Sequence, residues 1–139
     1  MPEPRSLDIA TPVTTLSMVA LYEQTRPRLL ALRDLARPLA LRRIVAQVPA
    51  EIAGDARQLL NDAGAVVSRQ RGARQALQWR GPLDWATLLA KLELALVGFD
   101  AFRSRYSAYD SAYGYVVWHD ELWRDWHEHP PEFAAAPVP

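Results

Sequence analysis

The two longest apolar repeats in this chain meet head to tail at Gly81-Pro82, and that junction constrains the fold more than any other feature. From Trp85 the large apolar residues run Trp85, Leu88, Leu92, Ala95, Phe99, Phe102, Tyr106, Tyr109 and Tyr113, alternately three and four apart. Only a helix places that spacing on one stripe. Upstream, Ile52, Ala56, Leu59, Ala63, Val66, Gln70, Ala73 and Leu77 follow the same rule with one polar interruption. Two segments of nearly equal length joined by Gly-Pro predict a long antiparallel helical hairpin, about 49–80 and 82–113. At the turn, Gly81 tolerates the left-handed conformation, Pro82 suits a first helical position, and Asp84 complements the helix dipole.

A turn at Gly81 sets Ala63 opposite Phe99, Ala56 opposite Tyr106 and Leu77 opposite Trp85, so small residues face large ones. The second arm is apolar beyond its stripe. In 83–102, 15 of 20 residues are apolar or glycine, and Leu94 and Val97 fall behind the stripe, so this helix is expected to be covered on both sides. The expected cover is the N-terminal region, where Pro27, Pro38 and Pro49 recur at intervals of eleven and predict short helices at about 13–26, 28–36 and 38–47, the first capped by Thr11-Pro12. After Gly114, 115–118 reads as a short extended piece and Asp120 to about Glu128 as a last short helix before Pro130-Pro131. The fold class expected is all-α: one domain spanning 1–139, with a helical bundle built on the hairpin, short proline-punctuated N-terminal helices and a short C-terminal helix. An extended N-terminus (1–11) and a proline-rich tail (130–139) flank it.

The absence of cysteine excludes disulfides, thiolate metal sites and cysteine nucleophiles. Net charge is zero, which argues against a dedicated nucleic-acid binder, yet residues 1–83 carry 12 basic against 7 acidic side chains and 84–139 carry 4 against 9. The molecule is expected to be dipolar. Arginine outnumbers lysine 15 to 1, a bias that points to a GC-rich bacterial source. The longest uncharged run, 9–22, has 14 residues and includes Pro12, too short and too polar to span a bilayer. With no secretory signal read in the sequence, the expected location is cytoplasmic.

Ten of the 13 aromatic residues lie between Phe99 and Phe133. Trp and Tyr anchor protein interfaces, so Trp118, Trp123, Trp126, Tyr106, Tyr109 and Tyr113 are the candidate partner-binding residues. A packed cap over the open end of the hairpin is the alternative use of the same side chains. Between Ala63 and Leu83 there is no acidic residue, while Arg69, Arg71, Arg74 and Arg80 form a candidate phosphate or nucleic-acid contact. In the histidine-rich segment 118–129, Asp125 and His129 stand four apart, as do Glu121 and Asp125, so either pair could chelate, but Glu121 and His129 are about 12 Å apart along a helix, too far for one ion, and Pro130 pushes His129 toward an extended conformation, so no metal site is assigned. No motif specifies a reaction or a cofactor.

Trp79-Arg80-Gly81 between two helices, followed by Tyr106 and Asp110 four apart, resembles the WXG family of secreted helical hairpins. The resemblance covers about 60 residues and implies a Trp-x-Gly turn and a Tyr-x-x-x-acid export signal. The expected function is that of a non-catalytic helical subunit or adaptor mediating protein–protein interaction or self-association in a bacterial assembly. The alternatives are a nucleic-acid-associated subunit, a small helical enzyme with a site inside the bundle, and a secreted WXG-like hairpin.

Overall fold

A computed structural model describes residues 11–42 and 47–129. The expected proline-rich tail and nearly all of the expected extended N-terminus lie outside them. Five helices and two strands occur among the described residues: α1 (Leu16–Leu41), α2 (Ala50–Val66), α3 (Ala73–Ala76), α4 (Trp85–Tyr106), β1 (Ser107–Asp110), β2 (Tyr115–Trp118) and α5 (Glu121–Glu128). The protein is a mostly helical bundle in which α1 packs against α4. It divides into two compact units, Ala20–Arg103 and a second made of Met1–Val19 with Ser104–Pro139.

In the larger unit the core follows the repeats. Leu88, Leu92, Ala95, Phe99 and Phe102 of α4 are buried, as are Ala56, Leu59, Leu60, Ala63 and Val66 of α2. Each such large apolar side chain contributes about 1.5–3 kcal/mol by leaving water. From α1, Tyr22 stacks on Phe99 and Phe102 at centroid distances of 5.1 and 5.5 Å, and burial pushes its phenol above the ordinary tyrosine value. Farther along, Arg37 bonds Glu93 at 2.9 Å.

Where three short N-terminal helices were expected, α1 runs unbroken through Pro27 and Pro38. Proline removes the N–H that would bond the carbonyl four residues back. Here both prolines, and Glu23 and Asp34 four residues before them, are exposed, so the backbone at each proline faces water rather than the core. The buried face, Tyr22, Thr25, Leu29 and Ala36, keeps helical phase across Pro27. Its cap is Thr15 rather than Thr11: the Met18 amide donates to the Thr15 hydroxyl at 3.1 Å.

The first hairpin arm is also shorter than expected. α2 ends at Val66, and the chain turns through 67–72 with Gly72 at φ 73° before α3 and a non-helical run to Asp84. The turn is held by the Gln70 side-chain amide, which donates to the Gly98 carbonyl at 2.7 Å. Lys91 donates to the carbonyls of Ala76 and Gln78 at 2.9 and 2.8 Å. These partners lie about one to two helical turns beyond those a matched hairpin at Gly81 would set, because the connection spends residues on the extra turn. Ala63 and Phe99 are both fully buried, while Gly81 has φ 78° as its turn requires. Asp84 caps α4 by accepting the Thr87 amide at 2.6 Å, and the Val48 amide donates to the Leu83 carbonyl at 2.8 Å.

Leu94 and Val97, expected beneath a covering helix, are 44% and 65% exposed. The α1 side chains meet α4 on the aromatic stripe it already buries, at Phe99 and Phe102.

The second arm stops at Tyr106, seven residues short of the expectation. β1 and β2 form an antiparallel hairpin with Ser107 opposite Trp118 and Asp110 opposite Tyr115. Two local signals end the helix. Tyr115-Val-Val-Trp118 favours an extended, half-buried surface. Asp110 and Gly114 close the loop: the Asp110 carboxylate accepts the Ala112 amide at 2.8 Å, its carbonyl accepts the Gly114 amide at 2.8 Å, and Gly114 has φ 74°.

Candidate protein-binding groove

The smaller unit is assembled from main-chain bonds around His119. Its amide donates to the Tyr106 carbonyl at 2.6 Å, and its carbonyl accepts the Thr14 amide at 2.9 Å. Glu121 then reaches the start of α1, where its carboxylate accepts the Leu16 amide at 3.2 Å. A carboxylate at a helix N-terminus complements both the free amide and the dipole. On the next turn Asp120 caps α5, accepting the Trp123 amide at 2.9 Å.

So anchored, α5 carries Leu122, Trp123 and Trp126 yet buries no residue. With the β-hairpin it lines a groove of about 640 Å³, whose walls include Tyr113, Tyr115, Trp118, Leu122, Trp123 and Trp126. Tyr113, Tyr115, Leu122 and Trp126 are exposed, whereas Trp118 and Trp123 are half-buried. Trp123 is fixed between His119 and His127, with ring centroids 4.4 and 4.3 Å away. Tyr113 and Tyr115 lean together at 5.7 Å. Two carboxylates, Asp110 and Asp120, line the groove, and no Arg or Lys does among the described residues.

Burial pushes the His119 imidazole below the ordinary histidine value; His127 acts in the same direction and Asp120 opposes it. Its buried Nδ1 has no hydrogen-bond partner among the described residues. Both observations favour the neutral ring.

Of the six aromatic residues singled out in the sequence, the structure brings Trp118, Trp123, Trp126 and Tyr113 to one groove. Tyr106 is buried at the end of α4, and Tyr109 is 65% exposed on β1 without lining the groove. A helical stripe of Tyr106, Tyr109 and Tyr113 therefore does not form, because the backbone changes from helix to strand after Tyr106. Tyr115 and Leu122 were not among those six: Tyr115 needed the hairpin register to be placed, and Leu122 lies on α5 four residues before Trp126. Among the described residues, no three His, Asp or Glu side chains converge as a metal site would require.

Arg69, Arg71, Arg74 and Arg80 are all exposed and lie in the α2–α4 connection. Arg80 borders a separate pocket with Arg57 and Trp79, while the Arg74 stem lies against Gly64.

Comparison with protein-family models, characterised proteins and solved structures finds no match to this chain. No helix among the described residues is long and apolar enough to cross a membrane.

Proposed function

We propose that this protein is a non-catalytic subunit or adaptor whose aromatic groove receives a segment of a protein partner bearing a cationic side chain among apolar ones. The observation that supports this most is α5 itself. A helix with two tryptophans and a leucine that buries none of its residues leaves apolar surface available for a partner. Tyr and Trp supply large rigid contact area at little entropic cost, and partly buried aromatic clusters are where binding energy concentrates. The groove's carboxylates without cations favour an Arg- or Lys-bearing segment, whose charge can also rest on an aromatic face. A bacterial, cytoplasmic assembly is the setting proposed for it.

The test is selection from a random peptide library displayed against the whole protein. Enriched peptides should carry Arg or Lys flanked by apolar residues. Trp126→Ala with Leu122→Ala should weaken their binding at least about tenfold. Asp110→Asn and Asp120→Asn separate charge from structure, since asparagine keeps both turn and cap. They should weaken cationic peptides while leaving the circular dichroism spectrum unchanged. Enrichment of acidic peptides, or binding indifferent to these four substitutions, would refute the reading.

A further inference from the structure

The larger unit holds a second concavity of a different chemistry. Arg57, Asn61, Leu77, Gln78, Trp79 and Arg80 line an open concavity of about 460 Å³, within the range of small-ligand sites. Its charged side chains are two arginines, and no carboxylate lines it among the described residues. Two carboxylates nearby in sequence are engaged elsewhere: Asp62 accepts from Gln58 at 3.2 Å, and Asp84 caps α4. The pocket is also built. Gly81 at φ 78° turns the chain after Arg80, the Leu83 carbonyl is tied to the Val48 amide, and Lys91 holds the Gln78 carbonyl at 2.8 Å. Leu77 anchors the floor at 2% exposure. The Arg57 guanidinium lies 5.2 Å from the centre of the half-buried Trp79 ring, which pre-orients its donors.

We infer that this pocket binds a nucleotide unit, with phosphate on Arg57 and Arg80 and the base against the wall of Trp79, Asn61 and Gln78. Guanidinium forks match phosphate oxygens, the Arg57 guanidinium over the Trp79 indole makes a planar wall for a base to lie against, and two amides can each donate to and accept from a base edge. A free mononucleotide and a single-stranded nucleic acid both present that unit. The site is independent of the aromatic groove, which it neither uses nor requires.

The whole protein is titrated by calorimetry with inorganic phosphate, uridine monophosphate and an oligouridylate of about twelve units, in low and moderate salt. Saturable binding of a nucleotide probe, weakened at least about tenfold by Arg57→Gln or Arg80→Gln and less by Arg57→Lys, supports the inference. An oligonucleotide bound about tenfold or more tighter than the mononucleotide, with a steep loss in salt, identifies nucleic acid as the source. Equal affinities identify the free nucleotide. Phosphate binding as tightly as either nucleotide would mean an adventitious ion only and overturn the assignment. So would the absence of nucleotide binding at about 1 mM, or binding unchanged in both Gln variants. Arg80→Gln is the safeguard against a folding defect, because Arg80 is exposed and lies outside the helices.

Discussion

Adding one methyl group at Gly98 should destabilise this protein, although glycine is a poor residue for the middle of a helix. On the helix alone, Gly→Ala stabilises by about 0.5–1 kcal/mol. Against that, a Cβ at Gly98 would sit 2.7 Å from Val67 Cγ1 and 3.3 Å from Gln70 Oε1. Carbon atoms prefer about 3.5–4.0 Å, so Val67 would have to retreat by about 0.8 Å or more. Val67 is 1% exposed and β-branched, and the adjoining turn is held to Gly98 itself by the Gln70 bond. Neither neighbour yields easily. Overpacking of this kind costs about 2–3 kcal/mol, leaving a net loss of about 1–2 kcal/mol. Gly54 is the internal control: it lies in α2, is exposed, and has open space around its Cβ position, so Gly54→Ala should gain about 0.5–1 kcal/mol. At about 3 °C per kcal/mol for a chain of this length, the two variants should melt on opposite sides of the parent and about 5–9 °C apart. Thermal denaturation by circular dichroism reads the difference. Val67→Ala should cost less in the Gly98→Ala background than in the parent, as relief of a shared contact requires. A Gly98→Ala protein that melts at or above the parent would refute the close approach of α4 to the 67–70 turn.

The continuity of α1 makes Pro27→Ala and Pro38→Ala each stabilising by about 1–2 kcal/mol, since a helix-interior proline costs about 3 kcal/mol and part of that is offset in the unfolded chain. Neutral or lowered denaturant midpoints would favour separate helices beginning at those prolines. Stability should fall as pH drops through about 6.5, because His119 titrates lower folded than unfolded and the unfolded state gains its proton first. His119→Phe should remove that portion of the decline in melting temperature between pH 7.5 and 5. A further loss near and below pH 4 should trace to Asp84, whose carboxyl is held below its ordinary value chiefly by the Thr87 amide and then by the Thr87 hydroxyl. Asp84→Asn, which keeps the cap but does not titrate, should flatten that part of the pH profile.

The helical class, the buried stripe from Trp85 to Tyr106 and the left-handed Gly81 were legible because each rests on local spacing or local backbone chemistry. Helix ends were less so. Pro27 and Pro38 suggested breaks, but a proline on the solvent side of a well-packed helix loses one bond on the face that meets water while the buried face continues. Its tolerance depends on Leu29 and Ala36 finding a core, and that is tertiary information. At the other end, Tyr109 and Tyr113 matched the heptad by number. Asp110 and Gly114 outweighed them, since a side-chain turn and a positive φ provide bonds that a helix there would have to forgo.

The same asymmetry governs the two candidate sites. Trp118, Trp123 and Trp126 stood out by residue type, but only the pairing of β1 with β2 brings Tyr115 and Trp118 beside α5 and leaves Asp110 and Asp120 as the groove's carboxylates. Arg57 carried no signal at all: it lies 22 positions before Trp79, on a helix face that spacing marks as solvated. What joins them is the early end of α2. Had the first arm run unbroken to residue 80, at about 1.5 Å per residue, Arg57 and Trp79 would stand roughly 33 Å apart along one axis. Folding the chain back at Gly72 places the guanidinium 5.2 Å from the indole instead. The break that shortened the predicted hairpin is therefore what creates the basic pocket, and shifting it should disperse the site even where each arginine is kept.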